Sequence, residues 1–314
     1  MDKMVDVVCV GSAVMDYFVL LPKAYLQADA KNSNLLDECF VLGAKHEVKR
    51  IIQQSGGGAT NAALTFHRQS LSTLIMSKVG SDGVGRQIIE ELENEGLKTE
   101  HFVKTSAGTS GQSIILVDPN GERTILTDRG TSGHIHPDDL AGLSSIKSRW
   151  LYLTSLNGEI KTIETLLGWA VENSVKIAWN PGLAEVENHR IAVKKWLKHV
   201  SLIIVNRCEA AALIGHDGEV GDLAAEMQKY GMSRAIITDG VEAMAVIDGK
   251  TISVIYPEPV KAVDETGAGD AFGSGIVAGL LKGLNFKRSL ELGMLNAKHV
   301  VTKYGAKTGI VFSR

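Results

Sequence analysis

The feature that most restricts what this chain can fold into is a succession of short, nearly unbroken apolar runs set between stretches of helical periodicity. Val5-Asp6-Val7-Val8-Cys9-Val10 and residues 74–76, 150–153, 175–179, 202–205 and 235–238 read as strands with little alternation, whereas 160–173 and 220–230 repeat apolar residues at the 3.6-residue period. A strand that is apolar on both sides needs cover on both faces, and strands joined through helices run parallel. The expectation is an α/β fold with a three-layer α/β/α core around a mainly parallel sheet. Ligands should gather beyond the carboxyl ends of its strands. A chain of 314 residues with 44% hydrophobic content is large enough for one such domain over 1–314.

Two stretches depart from the pattern. Within an irregular region at about 17–55, residues 36–42 and 48–54 are strand-like but only partly apolar. Residues 113–117 and 123–127 flank Asp118-Pro119-Asn120-Gly121-Glu122, a run of turn formers that predicts a hairpin. Together 17–55 and 105–131 are expected to form a small β-sheet lid with one exposed face.

Composition removes several classes of function. A formal net charge of −3 offers no basic surface for nucleic acid. Cys9, Cys39 and Cys208 are odd in number and far apart, which speaks against a disulfide framework or a zinc cluster and for a reducing cytoplasm. The opening apolar run is too short to cross a bilayer and lacks a signal-peptide layout, so no membrane partner is expected. Gly249-Lys250-Thr251 ends like a phosphate-binding loop, but Met244 stands where its first glycine belongs, so a turn is expected. Gly273-Ser274-Gly275-Ile276-Val277-Ala278 has dinucleotide-loop spacing but falls inside a helix. His134 and His136 lack a convincing third metal ligand and read as a loop-to-helix entry.

The densest chemistry lies in Asp264-Glu265-Thr266-Gly267-Ala268-Gly269-Asp270. Small residues crowd the point where a loop turns into a helix, so main-chain N–H groups and the positive end of the helix dipole can hold a transferring phosphoryl group. Asp270, in the first turn, is placed to take a proton from an attacking hydroxyl. This run resembles the C-terminal signature of the ribokinase-like (PfkB) family of carbohydrate kinases, and further matches in the expected order extend from Gly11 to Gly305.

The resemblance implies roles for matching residues. Asp270 is the implied base, and the N–H groups of Gly267, Ala268 and Gly269 form the anion hole. Asp16, beyond the first strand, and Gly57, Gly58 and Asn61 of Gly56-Gly57-Gly58-Ala59-Thr60-Asn61 bind sugar hydroxyls. Asn206-Arg207-Cys208-Glu209 reproduces an Asn-x-x-Glu motif tied to magnesium and the phosphates through Asn206 and Glu209, although a helix cap explains the tetrapeptide equally well. Thr238 and Gly240 match a phosphate loop whose last glycine is replaced by Ala243. Asn296 and the 303–309 tail resemble the segment bordering the adenine. Asp264 matches a side chain that helps hold a monovalent cation, potassium, in many relatives; bracing the glycine turn is the alternative. ATP and magnesium are the implied cofactors, and a homodimer through the lid is expected.

The acceptor stays open among three kinds. A sugar primary hydroxyl leads. A nucleoside would draw on Tyr17, Phe18, Tyr25 and Phe40, and a sugar phosphate on Lys45, Lys49, Arg50, Arg123 and Arg129. A catalytically silent sugar-binding regulator is the non-enzyme alternative.

Overall fold

The computed structural model describes residues 4–22, 26–28, 36–38, 40–119 and 122–313, with 26–28 and 36–38 as backbone alone. Tyr25, Cys39, Asn120 and Gly121 lie outside the described residues. In chain order the elements begin with β1 (Val5–Val10), β2 (Val14–Leu20), β3 (Leu26–Ala28), β4 (Leu36–Glu38), β5 (Arg50–Gly56) and α1 (Gly58–Arg68). Next come β6 (Thr73–Gly80), α2 (Gly83–Asn94), β7 (Phe102–Thr105), β8 (Gly111–Val117), β9 (Arg123–Asp128), β10 (Ser148–Thr154), α3 (Ile160–Glu172) and β11 (Lys176–Asn180). The remainder is α4 (Leu183–Asn188), α5 (Arg190–Trp196), β12 (Leu202–Asn206), α6 (Arg207–Ile214), α7 (Val220–Met227), β13 (Arg234–Asp239), β14 (Ala243–Asp248), β15 (Thr251–Ile255), α8 (Ala268–Leu281) and α9 (Phe286–Val300).

The main sheet runs β15-β14-β13-β12-β11-β10-β1-β6-β7, parallel from β13 to β7, with β14 and β15 antiparallel at one edge. Alternate residues of β1 feed opposite cores. Val7 and Cys9 pack with α1, α2, α8 and α9, while Val8 and Val10 pack with α3 to α7. This is the double cover that the apolar runs require. The chain leaves β1 for β6 on one side and returns to β10 on the other, so the strand order reverses between β1 and β10. Such a gap opens a crevice outside the carboxyl ends of the two strands.

The smaller sheet runs β5-β2-β8-β9. It begins at Val14, three residues before the expected boundary, because Val14–Leu20 is apolar enough to pair fully with both β5 and β8. The expected strand 36–42 is shorter: Leu36–Glu38 pairs with Leu26–Ala28, and 40–42 are not strand. The hairpin forms as expected, with Glu122 N–H donating to Asp118 Oδ1 at 2.9 Å.

The rejected motifs resolve into ordinary structure. Gly249 turns between β14 and β15. His134 and His136 both lie against Glu159, at 3.3 and 3.5 Å. Gly273 and Gly275 are packing positions in α8: a Cβ at Gly273 would come within 2.4 Å of Tyr152 Oη, and one at Gly275 within 2.8 Å of the Cα of Gly293 in α9.

Candidate active site

A cavity of about 210 Å³ lies over the β1–β10 gap. Ser12 reaches it from the end of β1, Ser155 and Asn157 from the end of β10, and Asp16, Ser113, Ile125 and Thr127 from the small sheet. Gly57, Asn61, Thr266, Gly267 and Asp270 complete it from the starts of α1 and α8. A wider groove of about 620 Å³ opens at the opposite ends of the strands, between Trp150, Lys176, Arg234 and Phe286. Its only carboxylate, Asp248, is paired with Arg234, so the reactive groups converge in the smaller cavity.

Both helix starts are built by glycines in the left-handed region. Gly57, at φ 99°, precedes α1, and a Cβ there would sit 2.4 Å from the carbonyl oxygen of Ser12. Gly267, at φ 77°, precedes α8 and leaves no room for a Cβ beside Ala306. Gly269 differs: a Cβ there would meet no protein atom, so the fold itself does not demand this glycine. The N–H of Ala268 already donates to Glu265 O at 3.1 Å, which leaves Gly267 and Gly269 as the better anion-hole donors.

Asp270 is the third residue of α8 and accepts a 2.8 Å hydrogen bond from Asn61 Nδ2. Burial raises its pKa, while the Asn61 bond and the charge of Lys307 work in the other direction. Asn61 Oδ1 is buried without a partner, an orphan acceptor beside the cavity. Asp16 is 6% exposed. Burial pushes its pKa up to about 6; the Ser113 hydroxyl and Lys307 oppose this, and Asp264 and Asp270 reinforce it.

Residues 206 and 209 form a capping box. Asn206 Oδ1 accepts from Glu209 N–H at 2.8 Å, and Glu209 Oε2 accepts from Asn206 N–H at 2.9 Å. Burial pushes the Glu209 carboxyl up to about 7; the Asn206 N–H opposes this, and the nearby Glu185 charge adds to it. A half-buried carboxyl short of positive charge fits a hydrated magnesium ion. Thr238 pairs beside Asn206 in the sheet, and Gly240 turns at φ 53° just after β13.

Two of the expected residues also serve the fold. Asn296 is wholly buried and donates to Thr65 Oγ1 and Ala271 O while accepting from Val311 N–H, so its side chain braces α9 against α1 and α8. Asp264 is 1% exposed: Oδ1 accepts from the N–H and hydroxyl of Thr266, and Oδ2 from Gly305 N–H. Those three bonds make its carboxylate a brace between two segments.

Sequence reading passed over Ser113, Thr127 and Asn157, which carry no motif. It also missed Glu185, a fully buried carboxylate that takes the Leu156 and Gly158 N–H groups and holds the loop after β10.

Residues 4–311 match the family model described as pfkB family carbohydrate kinase. The chain is 32% identical over 248 residues to an uncharacterized sugar kinase of Archaeoglobus fulgidus, covering 77% of this chain and 96% of that protein. It is 27% identical over 262 residues to a ribokinase of Haemophilus influenzae, covering 81% of this chain and 83% of the relative. The crystal structure of ribokinase from Thermotoga maritima superposes with a TM-score of 0.78 at 20% identity, covering 98% and 97% of the two chains, a likeness of fold.

Asp16 gives a test of the cavity's electrostatics. Its folded pKa of about 6 lies above the ordinary 3.8, so the folded state binds the extra proton and loses stability as pH rises through that window. Asp16→Asn should be more stable than wild type above pH 6, by ~1–3 kcal/mol, and the two should converge near pH 4. Thermal unfolding across pH 4–8 measures this; a variant less stable at every pH contradicts it.

Proposed function

The chain belongs to the pfkB family of carbohydrate kinases, and from that premise we propose that it transfers the γ-phosphate of ATP to a primary hydroxyl of a sugar, with Asp270 as general base. The observation that carries the reading is Asn61. One end of its amide holds Asp270, and the other is a buried acceptor with no partner, beside a cavity walled by carboxylate and hydroxyl groups. A sugar diol supplies the donors and acceptors such a wall lacks.

Asp16 and Asn61 orient the acceptor, and Gly57 lets its ring lie against backbone. The acceptor oxygen attacks the γ-phosphorus, Asp270 takes its proton, and the bond to the β-phosphate oxygen breaks to release ADP. The N–H groups of Gly267 and Gly269, with the start of α8, stabilise the charge on the transferring group. Asn206 and Glu209 would hold magnesium, which would supply positive charge at the phosphates. The small sheet acts as a lid over the acceptor, excluding competing water.

A second reading, an acceptor that already carries a phosphate or carboxylate, has one observation in its favour: Arg129 lines the cavity. Lys45, Lys49, Arg50 and Arg123 do not line it, and Arg123 is paired with Glu265 at 2.9 Å. A nucleoside has less support, because Tyr17, Phe18 and Phe40 are absent from the wall and Phe18 packs with Ile115 and Val117.

ADP release with ATP, magnesium and a panel of sugars, sugar phosphates and nucleosides tests the reading. Asp270→Asn should lower kcat by roughly 10²–10⁴-fold with ATP binding retained. Near-normal turnover in the folded variant removes Asp270 from the mechanism, and no turnover of any acceptor by wild type favours the silent sugar-binding regulator. Asp264 accepts three hydrogen bonds and keeps acceptor capacity for a monovalent cation, so adding potassium at constant ionic strength should raise kcat; an unchanged kcat makes Asp264 a structural brace only.

The dimer rests on the outer face of the small sheet, where Ile51, Ile114 and Leu126 are 60%, 45% and 56% exposed. These three flank the half-buried Tyr17 and Val19 on one apolar surface. Light scattering at micromolar concentration should give twice the chain mass, and a monomeric mass refutes it.

A further inference from the structure

The site confronts one electrostatic difficulty. Asp16 and Asp270 share a cavity, Asp264 adds a third carboxylate to the neighbourhood of Asp16, and both Asp264 and Asp270 raise the cost of ionising Asp16. Yet the proposed chemistry needs Asp270 ionised as a base and Asp16 ionised as a hydroxyl acceptor.

Lys307 is the side chain that answers this. It is 4% exposed, and its ammonium donates to Ser55 O, Ser55 Oγ (3.1 Å) and Thr60 Oγ1 (2.9 Å). Thr60 Oγ1 lies 2.8 Å from Gly56 O, so the ammonium holds the glycine turn that leads into Asn61. That turn abuts Asp16 so closely that a Cβ on Gly56 would overlap the Asp16 carboxylate. No salt bridge within ion-pair distance takes up the charge among the described residues. We propose that Lys307 is a positioning residue of this site, its buried ammonium fixing the Ser55–Thr60 turn and supplying the positive charge that lets Asp16 and Asp270 stand ionised together.

The charged groups facing Lys307 are Asp16 of β2, Asp270 of α8, and Glu91 and Glu95 at the end of α2. Glu91 is engaged with Ser55 N–H at 2.6 Å and Glu95 with Arg68 at 2.9 Å. Asp270 also faces Tyr152, and Asp16 faces Asp264. Burial lowers the Lys307 pKa to about 8, against the pull of these carboxylates, so the amine remains largely protonated at neutral pH. The same charge lowers the pKa of both Asp16 and Asp270.

The proposal rests on the kinase reading, and its test separates the two. Lys307→Gln keeps hydrogen-bond donors without charge, and Lys307→Arg keeps the charge. With any acceptor that wild type phosphorylates, the acid limb of kcat/KM against pH should move upward in Lys307→Gln. The ratio of wild-type to variant kcat/KM should then grow about fivefold as pH falls from 8 to 6, for a one-unit shift of the limb. Lys307→Arg should restore the wild-type limb. Parallel profiles, with Lys307→Gln reduced equally at every pH, make Lys307 structural only and overturn the proposal. If neither variant folds, the Lys307 ¹³Cε resonance of wild type decides: titration above pH 7 supports the fixed charge, and a neutral amine at pH 7 overturns it. If wild type phosphorylates no acceptor, the kinase reading has failed. The proposal is then read from ¹³C titration of the Asp16 and Asp270 carboxyls, whose midpoints rise in Lys307→Gln if it holds and stay put if it does not.

Discussion

Three consecutive residues after the last helix hold the site together. Gly305 N–H donates to Asp264, Ala306 fills the space that a side chain at Gly267 would need, and Lys307 binds the Ser55–Thr60 turn. The starts of α1 and α8 are thereby clamped from below, and the bond from Asn61 to Asp270 closes them from above across 209 residues of sequence. A phosphoryl-transfer site needs its donors fixed before the charge develops, because reorganising them during the reaction would forfeit most of their effect. The tail supplies that rigidity on the side away from the small sheet.

The cost of this arrangement is borne as buried charge. Asp16, Asp270 and Glu209 all have raised pKa values, and in each case burial is the leading cause. Clusters of this kind mark functional sites, since a fold with no ligand to bind gains stability by replacing them. Glu185 is a carboxylate of another kind: it is fully buried, and the Ser155 hydroxyl and the N–H groups of Leu156, Gly158 and Gly182 surround it, as befits a structural group.

How much of this was legible in the sequence depends on the range of the interaction. The parallel strands were legible because double burial leaves an apolar run, and the hairpin because its turn chemistry is local. The antiparallel edge, β14 and β15, was passed over: Thr251–Ile255 has only partial cover, so its apolar pattern is weak. The short strand at Leu36–Glu38 was read too long because partly polar residues give no stop signal. Gly267 and Asp270 announced themselves through a dense motif. Ser113, Thr127 and Asn157 could not, since they reach the cavity only through strand register and a loop held by Glu185. Asn296 has a motif-like position, and its amide bonds to α1, α8 and the C-terminal tail could not be read from sequence.

Lys307 shows where reading by motif reaches its limit. In sequence it is one cation in a tail of mixed residues, and nothing local distinguishes it from Lys303. The difference is made by burial. Lys303 stays at the surface, where water screens its charge, whereas Lys307 is enclosed at low dielectric, where the same charge acts strongly on neighbouring carboxylates. Taking an ammonium out of water is expensive unless hydrogen bonds and opposite charge compensate it. Here Ser55 and Thr60 provide the bonds, and the carboxylates of the cavity provide the charge. The cation and the acids therefore stabilise one another's ionised forms, and the sheet gap that gathers the acids is also what makes the buried lysine tolerable.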